Sequence, residues 1–144
     1  MKKRDILRAV ISWFAVAACM VAIFSLSAQD GEESSELSGW LMKLLDIVPQ
    51  AGLIVRKCAH ALEYMLLAVL MLNALHATGG RFRPVLSFML TAAYAATDEF
   101  HQLFVDGRAG SFADVLIDSA GAAIGIIAVT VLVAGVSKIR RKER

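Results

Sequence analysis

Four apolar segments, separated by short polar connections, constrain the fold of this 144-residue chain more than any other feature. The first, residues 9–28, is twenty residues without a charge, and about 20 apolar residues suffice for a helix to cross a bilayer. The others cover approximately 57–78, 84–104 and 112–136. Hydrophobic residues make up 58% of the sequence and charged residues 19%, which is typical of membrane proteins. We therefore predict an all-α, integral membrane four-helix bundle, formed by one domain over residues 1–144.

The first segment has a second interpretation as a secretory signal peptide, because Ser25-Leu26-Ser27 resembles a cleavage site. The apolar part of a signal peptide runs to about 15 residues, and this run is longer. Three further apolar segments follow it, so we favour a retained helix.

Lysine and arginine residues are concentrated at one end of the predicted bundle. Eleven of the fifteen lie in the N-terminal segment, the 79–83 turn or the C-terminal tail. Because Lys and Arg are enriched in cytoplasmic loops, we predict four crossings with both termini in the cytoplasm. No basic patch is interleaved with aromatic residues, so the sequence argues against nucleic-acid binding.

The first outer connection contains apolar residues at helical spacing between Leu37 and Val48. This pattern predicts a short amphipathic helix in the membrane interface, with Trp40 at the depth of the lipid headgroups. A loop helix that covers the mouth of the bundle fits the same pattern.

The second and third segments are too short to cross a bilayer unless they carry ionisable side chains into it. Residues 64–77 and 84–97 are runs of fourteen without Asp, Glu, Lys or Arg, or about 21 Å of helix against a hydrocarbon core of ~30 Å. The two length arguments place Glu63 and Asp98 at the same depth, roughly 9 Å from the same face. Ionisable residues at such depth usually line a site rather than contact lipid.

Helical periodicity places the polar side chains of three segments on faces that point into the bundle, at offsets of three and four residues. Candidates for acid/base chemistry are His60, Glu63, Asp98, Glu99 and His101. Candidates for ligand binding are Lys57, Tyr64, Gln102, Arg108, Asp114 and Asp118. Together they predict a polar pocket that opens at the outer face.

Three chemistries fit this pocket. Histidines and carboxylates on facing helices can bind a divalent metal. The metal candidates are His60, Glu63, Asp98 and His101. A carboxylate–histidine pair can also act as a general acid and base while Lys57 or Arg108 binds an anion, and a chain of such groups can relay protons. No spacing is a specific metal signature, so the sequence leaves the metal, the cofactor and the occurrence of turnover open.

Structural roles are the alternative for several of these residues. Asp114 lies three residues after Ser111, which is the spacing of a helix capping box. Arg108 can be an ion-pair partner of a nearby aspartate, and Lys57 can extend to the membrane surface as an anchor. Ion pairing alone would explain the central acidic and histidine residues less well, because buried pairs contribute little to stability.

Small residues four apart occur in two segments and permit close contact between helices. They are Gly121 and Gly125 in the fourth segment and Ala92 and Ala96 in the third. The connection between these two segments is short, so we predict that they are antiparallel neighbours.

These residues carry a resemblance that covers nearly the whole chain. The chain resembles the VanZ-like family of small bacterial membrane proteins. The matching positions are 24–29, 57–64, 98–102, Gly107, Arg108, Ser111, Asp114, Gly121 and Gly125. Two positions depart from the family pattern: Asp106, which is often proline, and Asp118, which is often asparagine.

The resemblance implies a multi-pass protein of the bacterial cytoplasmic membrane and, for some relatives, resistance to glycopeptides with a lipid tail, such as teicoplanin. We expect the pocket to act on or bind an amphipathic cell-envelope molecule, with the bilayer and a lipid-linked envelope precursor or lipoglycopeptide as partners. The alternatives are a non-enzymatic binding or immunity protein and a small proton-coupled carrier. A carrier of this length would need a homo-oligomer.

Overall fold

The computed structural model describes residues 3–28, 52–106, 108 and 110–142, and these residues form four helices. The described ranges contain no strand, and the all-α prediction is confirmed. The amphipathic helix predicted between residues 37 and 48 lies outside them. The helices are α1 (Lys3–Ser27), α2 (Gly52–Gly79), α3 (Pro84–Gln102) and α4 (Phe112–Lys142).

Most helices extend beyond the apolar segments that predicted them. α1 begins at Lys3 instead of near residue 9, and α4 continues to Lys142 instead of ending near residue 136. Charged residues such as Lys and Arg are good helix formers, so the helix continues where the hydrophobicity stops. α3 is shorter than predicted because Leu103 and Phe104 donate to carbonyl oxygens three residues back, which closes the helix in a tight turn.

Three helices are long and apolar enough to cross a membrane: Lys3–Ser27, Ile54–Gly79 and Phe112–Arg140. α3 has 19 residues, about 28 Å of helix, and two adjacent carboxylates near its end. Large apolar side chains cover much of the outside of the bundle, among them Phe14, Val85 and Val131. Apolar surface of this extent fits contact with lipid rather than with water.

The direction of the chain reverses at each connection. Asn73 near the end of α2 donates to Ser12 near the start of α1, with a nitrogen–oxygen distance of 3.0 Å. Ser27 at the end of α1 donates to Asp98 near the end of α3, at 2.7 Å. α1 and α3 therefore run in one direction and α2 runs in the other.

α4 runs parallel to α2 and approaches its backbone closely. A Cβ atom on Gly121 would overlap the carbonyl oxygen of Ala61. A Cβ on Gly125 would lie 2.7 Å from the side chain of Met65 and 2.8 Å from its carbonyl oxygen. The predicted close contact through Gly121 and Gly125 is confirmed, and it occurs because neither residue has a side chain.

The inward face of α3 contains Asp98 and Gln102, as predicted, but not the pair of alanines expected to permit close contact. Ala96 is exposed, and the buried small residues are Ser87, Thr91 and Ala95. The prediction for Ala92 and Ala96 was therefore wrong in its register. Ser87 donates to the carbonyl oxygen of Ala68 on α2 at 2.8 Å, so a polar side chain fixes this helix pair.

The core lies around α2, which contacts each of the other three helices. Its buried residues include Val16 and Ile23 of α1, Tyr64 and Leu67 of α2, and Ala95 of α3. This apolar core fills the middle of the bundle. It separates two polar regions. The acidic end is the region around Glu63, Asp98, Glu99, Asp114 and Asp118, and the basic end is the region around Arg81 and Arg83 in the turn after α2.

Candidate functional site

Asp98 lies at the centre of the acidic end and joins two helices. Its side chain is 2% exposed. One carboxylate oxygen, Oδ2, accepts a hydrogen bond from Ser27 Oγ of α1 at 2.7 Å and a longer one from Gln102 Nε2 at 3.5 Å. The other oxygen, Oδ1, is buried without a partner in the described residues. Asp98 is therefore held in place through one oxygen, and its other oxygen has no hydrogen bond to the described residues.

Glu99 fixes the connection between α3 and α4. Oε2 accepts a hydrogen bond from the backbone N–H of Ser111 at 2.8 Å, and Oε1 accepts one from Gln102 Nε2 at 3.2 Å. Both oxygens are engaged, so Glu99 positions the start of α4 at the acidic end. The predicted acid/base role of Glu99 stays a prediction.

Asp114, near the N-terminus of α4, forms an ion pair with Lys57, near the N-terminus of α2. Ser111 caps α4 with its side chain, because its Oγ accepts from the N–H of Ala113 at 3.2 Å. In a capping box the acidic side chain would bind the N–H of Ser111, but here Glu99 takes that position. Lys57 is partly buried in this ion pair, which differs from an anchor that extends to the membrane surface.

Asp118 is buried one turn further along α4. It is 1% exposed, and neither of its carboxylate oxygens has a hydrogen-bond partner in the described part of the chain. It lies within electrostatic range of Glu63, Asp98, Glu99 and Asp114. A carboxylate in this position must be neutralised by a proton or by a cation, because leaving it charged and unpaired inside the bundle costs several kcal/mol.

Tyr64 of α2 lies between the two buried aspartates. It is fully buried, its hydroxyl interacts electrostatically with Asp98 and Asp118, and the hydroxyl has no well-aligned hydrogen bond. Its ring lies 6.2 Å, centroid to centroid, from that of Tyr94, which donates to the carbonyl oxygen of Met20 on α1. Tyr64 thus brings a polar atom from α2 to the place where α3 and α4 each bring a carboxylate.

His60 of α2 and His101 of α3 are both half-buried. Each has a buried Nδ1 atom without a hydrogen-bond partner among the described residues. The ring of His101 lies 4.4 Å from that of Phe24 on α1, centroid to centroid. The charges of Asp98 and Asp114 act on His60, so His60 belongs to the acidic end.

Arg108 brings a positive charge to the acidic end from the connection between α3 and α4. Its Nη2 donates to the carbonyl oxygen of Leu26, near the C-terminus of α1, at 3.2 Å. Its charge also acts on His60, Glu63 and Glu99. Glu63 in turn interacts with Asp98, as expected for two carboxylates at the same depth.

Unpartnered polar atoms coincide with the predicted site. Within the described residues, six side chains have a buried nitrogen or oxygen without a hydrogen bond. Five of these six were predicted as site residues: His60, Tyr64, Asp98, His101 and Asp118. The sixth is Thr91 on α3. Buried polar groups are nearly always hydrogen-bonded in proteins, so the missing partners distinguish these residues from the rest of the described bundle.

No metal site is formed by the side chains as they stand in the described residues, where no three His, Cys, Asp or Glu are arranged to hold an ion. The four metal candidates therefore stay predictions. The acidic end offers carboxylates, a phenol and imidazoles, which suit cations, ammonium groups and hydroxyl groups. Lys57 and Arg108 suit anions at its rim.

Sequence reasoning missed the residues that connect this site to the rest of the bundle. Ser27 bonds Asp98, and the backbone of Ser111 bonds Glu99. A serine at the end of an apolar helix or in a turn gives no signal of such a contact. A weak clue was available, since Ser27 lies within the resemblance at residues 24–29.

Comparison with known proteins gives one match. No curated protein and no solved structure is similar enough to match. The model of the family described as VanZ/LLP1 matches residues 12–133, which include α2, α3, most of α1 and α4, and every predicted site residue. That match covers well over half of the chain and agrees with the resemblance that the sequence motifs indicated. The chain belongs to the VanZ/LLP1 family.

Proposed function

We propose that this protein binds or acts on an amphipathic molecule of the bacterial cell envelope, whose polar part enters the acidic end of the bundle from the outer leaflet of the cytoplasmic membrane. The observation that supports this most is the set of unpartnered polar atoms that α2, α3 and α4 bring together. A ligand with hydroxyl or ammonium donors would satisfy them. Its apolar part would lie along the lipid-facing surface of the bundle.

The position of the site supports an envelope substrate. Asp118 lies within α4, which is long and apolar enough to cross a bilayer, Asp98 lies in α3, and the predicted topology puts the acidic end outside. Lys57 and Arg108 at the rim suit an anionic group such as a phosphate or carboxylate. A lipid-linked envelope precursor or a lipoglycopeptide combines these features, so we expect the protein to affect susceptibility to teicoplanin.

The test compares variants that remove charge and keep shape. Glu63→Gln, Asp98→Asn and Asp118→Asn should abolish the effect on teicoplanin susceptibility while the protein stays folded. The control is Asp106→Asn, which changes an exposed acid in the connection after α3. If the cluster is only an ion-pair network, removal of one partner should cost about 3–5 kcal/mol. The melting temperature in detergent would then fall together with the phenotype, which would contradict a binding role.

Experiments on the purified protein distinguish binding from turnover. Mass spectrometry of co-purified lipid from wild type and Asp98→Asn identifies a retained molecule, and metal analysis of the same sample shows whether an ion accompanies it. Product formation from total envelope lipid would make the protein an enzyme. Retention without product would make it a binding or immunity protein.

A proton-coupled carrier is the second candidate, and Asp118 favours it. A fully buried carboxyl group without a partner is suited to take up and release a proton. Proteoliposomes with an imposed proton gradient and a pH-sensitive dye test this candidate. Proton flux in wild type that disappears in Asp118→Asn would support a carrier, and absence of flux in wild type would reject it.

A further inference from the structure

A cavity of about 710 Å³ lies at the basic end of the bundle, opposite the proposed site. It is formed by the first turns of α1, the last turns of α2 and the turn that follows, and Arg8, Ser12, Asn73, His76 and Gly79 are among its lining residues. Its volume falls within the range of small-molecule sites, about 300–1,000 Å³. Along α1, Arg8 and Ser27 are separated by about 28 Å, so the cavity is distinct from the acidic end.

Hydrogen bonds between α1 and α2 hold the walls of this cavity. Asn73 donates to Ser12 at 3.0 Å, and the indole N–H of Trp13 donates to Thr78 Oγ1 at 2.9 Å. Thr78 in turn donates to the carbonyl oxygen of Ala74 at 2.9 Å, within α2. Trp13 is the kind of residue that anchors helices at the membrane–water interface. The cavity is therefore a supported opening at the depth of lipid headgroups.

The charges around the cavity favour an anion. Arg8 and His76 line it directly. Arg83 lies beside it, since a Cβ on Gly79 would be 3.4 Å from its guanidinium. The N-terminal end of the α1 helix dipole adds a partial positive charge. Guanidinium groups bind phosphate through paired hydrogen bonds.

Asp5 limits how much negative charge the cavity can accept. It is also among the lining residues, and it already interacts within the protein. One carboxylate beside two guanidinium groups suits a ligand with a single negative charge better than a doubly charged phosphate monoester. Ile11 and Ala77 complete the lining with apolar surface that suits the glycerol and acyl part of a lipid.

We propose that this cavity binds the phosphodiester headgroup of a membrane phospholipid, with Arg8 and Arg83 contacting the phosphate. The protein then has two polar sites at opposite ends of one bundle. The acidic end takes hydroxyl or ammonium donors, and the basic end holds a lipid of the other leaflet. Basic recesses between membrane helices are known to bind anionic headgroups.

The test uses native mass spectrometry of the full-length protein in detergent with added phosphatidylglycerol. Wild type should retain one phosphatidylglycerol molecule and retain phosphatidylcholine and phosphatidic acid less well. The double variant Arg8→Gln/Arg83→Gln should bind about tenfold or more weakly, because each cation near a phosphate contributes on the order of fivefold. The matched control is Arg81→Gln, which removes an exposed arginine from the same turn.

Four results would overturn the proposal. They are no retention of phosphatidylglycerol by wild type, an equal loss in Arg81→Gln, no loss in the double variant, and binding of inorganic phosphate or glycerophosphate in place of the lipid. The last would identify a soluble phosphate compound as the ligand.

If the double variant is less stable, Arg8→Lys and Arg83→Lys replace it. They keep the charge and remove the paired hydrogen bonds, so a partial loss is expected and an unchanged affinity would contradict the guanidinium contacts.

Discussion

Neighbouring acidic residues at the acidic end differ in how their oxygens are satisfied. Both oxygens of Glu99 accept hydrogen bonds from the protein, one oxygen of Asp98 does, and neither oxygen of Asp118 does within the described residues. A fully bonded carboxylate stabilises the fold, whereas an unpartnered one destabilises it unless a ligand or a proton completes it. The acids can therefore be sorted by their expected effect on stability.

Asp118→Asn and Glu99→Gln should change the melting temperature in different directions. Asp118→Asn keeps the shape and replaces a buried carboxyl group, which has no hydrogen-bond partner in the described residues, by a neutral amide that needs no proton or cation to neutralise it, so we expect an equal or higher melting temperature. Glu99→Gln replaces one accepting oxygen by an amide NH₂ that faces a donor, and it weakens the bond to the N–H of Ser111. The free energy of unfolding should therefore fall by about 1.5–3 kcal/mol. Thermal unfolding of both variants in one detergent measures the difference. A lower melting temperature for Asp118→Asn would mean that its carboxylate has a stabilising partner.

Ser27→Ala tests the bond that connects α1 to the site. It removes the donor to Asp98 Oδ2, and a hydrogen bond to a charged group contributes about 1.5–3 kcal/mol. The control is Ser25→Ala, because Ser25 is exposed and bonds only the carbonyl oxygen of Val21 within α1. Chemical unfolding should show a clear loss for the first variant and a change within about 0.5 kcal/mol for the second. Equal losses would mean that the bond between Ser27 and Asp98 contributes no more to stability than the bond of Ser25 within α1.

Sequence reasoning at the scale of residues identified the polar groups but not their partners. His60, Tyr64, Asp98, His101 and Asp118 stood out because polar side chains are rare in apolar segments. That Glu99 would bind Ser111, and Asp114 would bind Lys57, depends on how three helices meet. Spacing along one helix carries no such information.

At the scale of helices, the α2–α4 contact depends on two glycines that can be tested against a third. Gly121→Ala would place a Cβ against the backbone of Ala61, which cannot move aside, so we expect a lower melting temperature. Gly135→Ala is the matched control, because nothing lies within 4 Å of its Cβ position on the same helix. Alanine is the better helix former by about 1 kcal/mol, so this control should be neutral or stabilising. Equal behaviour of the two variants would contradict the close α2–α4 approach.

The helices themselves were predictable because apolar segments of bilayer length have few other structures available. The polar part of the inward face of α3 was also predictable, since Asp98 and Gln102 are buried as expected, but its small residues were not, because Ala92 and Ala96 were chosen for their spacing alone. The face is set by Ser87, which bonds the backbone of α2, and by Asp98, which bonds α1. Polar contacts decided this register, and they were not visible as a pattern of small residues.

At the scale of the whole molecule, the two ends of the bundle have opposite chemistry. Buried acids and the half-buried His60 and His101 lie at the end where α1 and α3 finish, and arginines lie at the turn where α2 finishes. The distribution of Lys and Arg along the chain predicts that the arginine end faces the cytoplasm. Both proposals depend on this orientation, and on α3 crossing the membrane with its carboxylates inside.

Cysteine labelling tests the orientation and the crossing of α3 together. In a background without Cys19 and Cys58, Asp106→Cys and Arg81→Cys place one thiol at each end of α3, and both positions are exposed. A membrane-impermeant maleimide should label Asp106→Cys on intact cells and Arg81→Cys only after permeabilisation. The reverse result would put the acidic end in the cytoplasm and remove the outer leaflet as the source of its ligand. Labelling of both variants on intact cells would mean that both ends of α3 lie outside. The helix, which has 19 residues and is about 28 Å long, would then not cross the membrane.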